Sequence, residues 1–318
     1  MSVSTIKIGS AIPEIIEIDD IAEEFFDLPK PDKILIVEGE TDVTVLENYL
    51  DLKKISINFS IRTASMVDDN CRSGKDVALE YYDKYKNKQE IILLLDRDYD
   101  FICSTERKDG RIIYYDYYSL ENYFFEEVVL KHSLMSNSVP KLQRDQILNF
   151  LNSNKQEILN PLIECSKLRI FRKYHKDKKT PLQLNNTKIV EFANFIQCID
   201  IKGCIHGQNP KLSGSNFKDR VFTHINQSLD DIEPELYQQI QDFFTTIQIS
   251  YPSTLMEYFK NFFNGKDSLK FIVELLYHEK LLNSRIARIS SRETIETYIY
   301  YSDLYQTKIQ TIINIFST

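Results

Sequence analysis

Two short runs, Ile34-Leu-Ile-Val37 and Ile91-Ile-Leu-Leu-Leu95, are apolar at every position, and each ends in acids. A strand with one wet face alternates apolar and polar residues. An unbroken apolar run rich in β-branched side chains therefore implies a strand covered on both faces, as in a parallel sheet. After the first run Glu38-Gly39 stops the strand, and Thr41 opens a helical pattern with Val43, Leu46 and Leu50 on one face. Glu38 is then expected at the carboxyl end of a strand and Asp42 in the first turn of the next helix, the edge where open α/β sheets bind ligands. Taken alone, the pair has a plainer alternative: Asp42 complements the helix dipole and Glu38 is solvated.

The second run ends in Asp96-Arg-Asp98, and in an extended chain those two carboxylates point to the same side. If the two strands are parallel neighbours, Glu38, Asp42, Asp96 and Asp98 converge on one edge. Four carboxylates repel one another unless a cation lies among them, and oxygen-only ligation suits Mg²⁺ or Mn²⁺ rather than zinc. Glu38, Asp96 and Asp98 are accordingly expected within reach of one ion, with Asp42 no further than directly behind them.

The flanking pattern completes an α/β expectation. Ile55 to Ile61 alternates and predicts a half-buried strand, Thr63 to Gly74 a polar loop, and Lys75 to Lys88 a helix with the stripe Val77, Ala78, Tyr81, Tyr82, Tyr85. Asp109-Gly110 predicts a turn into a strand at Arg111 to Tyr114, and strands separated by such helices imply βαβ units and a mostly parallel, Rossmann-like sheet. From Ser119, which with Asn122 looks like a helix entry, the pattern is largely helical to the end. The division expected is an arm over 1–32, an α/β domain over 33–130 and a helical domain over 131–318. Only 8 glycines in 318 residues fit many helices. The 5 cysteines, an odd count without a Cys-x-x-Cys pair, point to a reducing compartment, and no apolar run is long enough for a signal peptide or membrane span. A cytoplasmic protein with no membrane association is expected.

Glu38-Gly-Glu-Thr-Asp42 followed by Asp96-Arg-Asp98 resembles the TOPRIM domain of topoisomerases, primases and OLD-family nucleases. Ser119-Leu-Glu-Asn-Tyr123 is similar to the Ser-x-Glu-Asn-Tyr signature of an OLD-related group that includes the AriB-type effector subunit of PARIS anti-phage systems. Arg72-Ser-Gly-Lys75 and Asn264-Gly-Lys-Asp267 resemble two further Gly-Lys elements of that group. The resemblance covers Lys33 to Val129, with Asn264 to Phe271 as an outlier. It implies a TOPRIM core and a metal-dependent endonuclease, with Mg²⁺ (or Mn²⁺) held by Glu38, Asp42, Asp96 and Asp98. It further implies a toxic defence effector with tRNA as target, held inactive by an ABC-type ATPase sensor until released, with a homodimer as a form it could take once released. The alternatives are an OLD-type DNA endonuclease, or a non-catalytic TOPRIM module that binds its ATPase.

Several residues extend this expectation. Glu121 could add a carboxylate to the cluster, or be an exposed first-turn acid; Asp100 could face the metal or be solvated. Ser73-Gly-Lys75 lacks the full phosphate-loop pattern, so ATP binding is not expected there. Lys75 could instead touch a nucleic-acid phosphate, and Lys266 is the preferred transition-state cation; either could be an ordinary surface lysine. Lys167 to Lys179 holds seven Lys or Arg against one Asp, interleaved with Phe171, Tyr174 and His175. Despite a net charge of −8, this run, with Arg169, Arg172, Lys173 and Lys176, is expected beside the acids as a phosphate-contacting face. A solvated basic face is the alternative. Arg285, Arg288 and Arg292 share one helical face. Cys198, Cys204, His206 and Asp200 match no zinc spacing. Tyr258, Phe259, Phe262 and Phe263 form a stripe expected to dock on the sheet layer, with Asn264-Gly265 as a helix C-cap presenting Lys266 to the acids.

Overall fold

Both apolar runs are strands, and they lie side by side in the computed structural model. It describes residues 33–68, 70–87, 90–178, 223, 234–282 and 296–317, without the side chains of 176–178 and 266. Strand β1 (Lys33–Val37) leads through helix α1 (Glu40–Lys53) to β2 (Ser60–Thr63). The short helix α2 (Ala64–Val67) and helix α3 (Lys75–Tyr85) follow, then β3 (Glu90–Leu95), helix α4 (Asp100–Cys103) and β4 (Ile112–Tyr114). The sheet is all-parallel in the order β2-β1-β3-β4. The chain moves from β1 to β2 on one side and then returns past β1 to β3 on the other. The order therefore reverses between β1 and β3, and that crevice at the carboxyl ends is where such sheets hold ligands.

Burial on both faces follows from the alternation of side chains. Leu35, Val37, Ile92 and Leu94 pack with Val45, Leu46, Tyr49 and Leu50 of α1. Ile34, Ile36, Ile91, Leu93 and Leu95 pack with Val77, Ala78 and Tyr82 of α3. Each such side chain taken fully from water contributes about 1.5–3 kcal/mol, which fixes the register that sets Val37 beside Leu94. Glu38 and Asp96 leave the sheet at adjacent strand ends.

The second strand lies later than its alternation predicts. Ile55, Ile57 and Phe59 lie before β2 and pack against the core from an irregular segment. Pairing with β1 starts only at Ser60, because the ladder rather than the alternation sets the strand. Within the expected loop Thr63 to Gly74, the Thr63 hydroxyl caps α2 by accepting from the Met66 amide.

After β4, Ser119 opens a 3₁₀ turn, Leu120–Phe125, and helices follow: α5 (Glu127–Ser136), α6 (Lys141–Asn152), α7 (Gln156–Lys178), α8 (Pro234–Thr246), α9 (Leu255–Asn261) and α10 (Gly265–His278). A 3₁₀ turn at Ile299–Tyr301 leads into helix α11 (Asp303–Ser317). One apolar cluster runs from β1 and β3 through these helices, so the helical part shares the core of the sheet. Helix α11 returns to the beginning of the sheet. Lys33 Nζ donates to the Phe316 carbonyl, the Phe59 and Phe316 rings stack at 4.3 Å, and the Tyr300 hydroxyl donates to the Val45 carbonyl. Among the described residues no helix is long and apolar enough to cross a membrane. The arm 1–32, Arg285, Arg288, Arg292, Cys198, Asp200, Cys204 and His206 lie outside the described residues.

Candidate functional site

The crevice between β1 and β3 is lined by acids. Glu38 is half-buried, and its Oε1 accepts the Asp96 amide at 2.9 Å, so it is not simply solvated. Asp42 does serve the start of α1, its Oδ2 accepting the Gly39 amide at 3.2 Å, but its Oδ1 accepts the buried Tyr115 hydroxyl at 2.7 Å. Asp96 Oδ1 accepts the Leu120 amide at 3.2 Å. Glu121 is buried, not an exposed first-turn acid, with Oε2 taking the Ser119 hydroxyl at 2.8 Å.

The acids are close enough to change one another's ionisation. Burial pushes Glu38 up to about 7, helped by the charges of Asp98 and Asp42 and opposed by Lys75. Burial pushes Asp42 up to about 6, helped by Glu121 and opposed by the Tyr115 hydroxyl. Asp96 is held well above the carboxylate range by burial and then by Glu38, Asp42, Glu121 and Asp98. These are the two ways a carboxyl is kept protonated, loss of water and like charge nearby.

Among the described residues, no group of three or more His, Cys, Asp or Glu side chains is placed to hold a metal. Asp98 does not continue the extended alternation from Asp96. Its φ of 50° turns the chain, and its amide donates to the Tyr118 carbonyl at 2.7 Å. The Asp98 carboxylate instead meets Lys75 Nζ at 2.5 Å.

Lys75 opens α3 after Gly74, whose φ of 98° suits glycine. Its ammonium does not stand out as a phosphate contact: its side chain is only 10 % exposed, and it also bonds Asp100 Oδ2 at 2.8 Å. Burial works against its charge, but Asp98, Asp100 and Glu38 outweigh that and raise its pKa. Asp100 is neither solvated nor free to face a metal. It is buried, with Oδ1 taking Lys173 at 3.0 Å and the Thr105 hydroxyl at 2.9 Å.

Two cations of the basic run face inward. Arg169 is 3.6 Å from Asp267 of α10 and stacks over Phe263, and Lys173 is engaged by Asp100, whereas Arg172 is exposed. The Lys176 side chain lies outside the described residues. A helix packed against an acidic surface spends its cations there first.

The Ser119 turn joins the two parts. Asn122, fully buried, takes the Ser119 amide on Oδ1 at 3.0 Å and donates Nδ2 to the carbonyls of Phe259 and Phe263. Tyr258, Phe259, Phe262 and Phe263 are all buried, so the aromatic stripe docks, but on this turn and on α7. Asn264-Gly265 is not a C-cap: Asn264 Oδ1 accepts the Asp267 amide at 3.4 Å, and Gly265 begins α10. The apolar positions Leu269, Phe271, Ile272 and Leu275 draw the chain straight into a new helix. A Cβ on Gly265 would lie 2.6 Å from Glu121 Cβ and 2.7 Å from both Asn122 Oδ1 and Ser119 Oγ. Lys266 therefore sits in a first helical turn directly against the Glu121 turn, and its side chain lies outside the described residues.

Three contributors escaped sequence reasoning: Tyr115, which grips Asp42, and the bonds from Asp100 to Lys75 and to Lys173. Tyr115 falls just past a strand end, the one local signal that marked it. No protein-family model matches the chain, and no curated protein matches it.

Proposed function

We propose that the chain is a metal-dependent endonuclease with a TOPRIM-type core, acting on tRNA as the effector of an anti-phage defence system under an ABC-type ATPase. The observation that carries the nuclease reading is the meeting of Glu38 and Asp96 at the reversal point of a parallel sheet, with Asp42 near enough to raise the proton affinity of both and Glu121 that of Asp96. The donor set suits a hard divalent cation, being all carboxylate oxygen, half-buried and mutually repelling. Glu38 and Asp96 meet at the sheet edge, and Asp42 and Asp98 would have to close on them for Mg²⁺ or Mn²⁺ to be held. Bound there, the ion would polarise a phosphodiester and lower the pKa of water.

The chain's own residues supply the rest. The Tyr115 hydroxyl and the Gly39 amide orient Asp42, and the Asp96 amide orients Glu38. Lys266, at the start of α10, is the candidate to neutralise charge on the reacting phosphate. Among the described side chains of the basic run, Arg172 is exposed and would meet a nucleic-acid backbone. The choice of tRNA, the ATPase partner and a homodimer on release rest on the likeness of Glu38 to Asp42, Asp96 to Asp98 and Ser119 to Tyr123 to AriB-type effectors.

A second reading has its own observation: Asp98 is taken by Lys75, and no metal-holding set closes among the described residues. In that reading the core is a docking module for the ATPase. Incubating purified protein with tRNA or duplex DNA and Mg²⁺ or Mn²⁺ separates them. Cleavage of tRNA, lost in Glu38→Ala and on chelation, is expected. Cleavage of DNA alone moves the assignment to the OLD type, and no cleavage with ATPase-released protein leaves the docking module.

A further inference from the structure

Four alternating charges run from the acid crevice into the helical part: Asp98, Lys75, Asp100 and Lys173. The contacts are 2.5, 2.8 and 3.0 Å, and the Asp100 side chain at their centre is 5 % exposed. Charges this sheltered from water interact strongly, and each depends on its neighbours. One ammonium, on Lys75, is shared between two carboxylates. One carboxylate, Asp100, is shared between two ammoniums and the Thr105 hydroxyl. The hold of Lys75 on Asp98 is thus set by how much of Asp100 is left over by Lys173.

Lys173 lies on α7, one turn beyond Arg169, which pairs with Asp267 next to Lys266. The helix that carries these cations is separate in sequence from the sheet whose acids they govern. Its position decides how the chain of charges is shared.

We propose that Lys75 is a built-in competitor for the divalent cation at Asp98, and that Lys173, acting through Asp100, sets how firmly it competes. This deepens the proposed nuclease reading and rests on it. Asp98 is engaged by the lysine, which must yield before that carboxylate can meet a metal. Drawing α7 away from Asp100 frees that carboxylate to pull Lys75 off Asp98, and so opens Asp98 to a metal. A partner that moves α7 would thereby license the site without touching it.

The test is Mn²⁺ binding to the full chain without nucleic acid, read from the loss of the free-ion EPR signal. Lys75→Met is expected to tighten binding about ten-fold or more, since a charge-assisted bond to the ligand is removed. Lys173→Met is expected to tighten it by roughly three-fold, and Asp100→Asn to weaken it by a similar factor, as Lys75 is then left wholly to Asp98. A purely bracing network would weaken binding in all three. Binding by Lys75→Met where the wild type shows none is the same result in stronger form. Any other pattern of signs overturns the proposal while leaving the metal reading intact. Absence of binding in all four proteins overturns both. Circular dichroism checks folding, and if Lys75→Met does not fold, the opposite signs of Lys173→Met and Asp100→Asn decide.

Discussion

Gly265→Ala perturbs the junction between the acid crevice and the helical part by one methyl group. The added Cβ would stand 2.6 Å from Glu121 Cβ, 2.7 Å from Asn122 Oδ1 and 2.7 Å from Ser119 Oγ. None of these can easily yield. Ser119 Oγ is shared between Glu121 and Asn122, and Asn122 is fully buried and bonded to the carbonyls of Phe259 and Phe263. Overpacking of this kind costs about 1–3 kcal/mol, and three simultaneous contacts place it near the upper end. Alanine returns about 0.5–1 kcal/mol through helix propensity, leaving a net loss of about 2 kcal/mol. Urea unfolding at equilibrium measures it as a lower midpoint at unchanged slope. Gly110→Ala, where nothing lies within 4 Å of the new Cβ, is the matched control and should stay within about 0.5 kcal/mol. A Gly265→Ala midpoint equal to that control would refute the close docking of α10 on the Ser119 turn. If the docking holds, cleavage should fall further than stability, because Glu121 and the start of α10 move together.

The remaining expectations concern charge. Glu38 and Asp42, raised to about 7 and about 6, bind protons more tightly folded than unfolded, so metal-free protein is not penalised below about pH 4 and loses stability as pH rises through 6 to 7. Its melting temperature should fall from pH 5 to pH 8 and be restored at pH 8 by Mg²⁺. A flat profile that Glu38→Gln leaves unchanged would contradict the crowding of these acids. Arg169→Ala should destabilise by about 2 kcal/mol, since it removes the guanidinium 3.6 Å from buried Asp267 and its stacking over Phe263. Arg172→Ala should cost under about 0.5 kcal/mol and act only on the salt dependence of nucleic-acid binding. Equal losses in the two would show that α7 does not face inward. Tyr115→Phe removes the 2.7 Å bond to Asp42 and should weaken Mn²⁺ binding several-fold with little change in secondary structure.

The parts of this arrangement that could be read from the chain are those decided locally. Unbroken apolar runs fix β1 and β3, and the stripe from Val77 to Tyr85 fixes α3, because each pattern has one way to bury itself. Glu38 and Asp96 then meet as soon as the strands are neighbours. What escaped depends on partners far away. Ile55 to Ile61 alternates like a strand, but pairing with β1 decides which residues join. Asp98 looks extended until its left-handed backbone turns it towards Lys75. Lys173 and Arg169 look like surface cations because nothing nearby in sequence announces Asp100 or Asp267. Asn264-Gly265 suits the end of one helix as well as the start of the next, and only the Ser119 turn distinguishes them.

The return of α11 to β1 has a kinetic consequence. Lys33 and Phe316, joined by a hydrogen bond, are 283 positions apart. At about 5–20 residues per second of synthesis, β1 waits roughly 15–60 s for Phe316. Tyr305 on α11 packs edge-on against Tyr49 and Tyr123, and Tyr123 packs in turn on Tyr115, the residue that grips Asp42. A nascent chain still short of α11 carries every acid of the crevice but lacks the Tyr305 ring that backs Tyr123 and, through it, Tyr115.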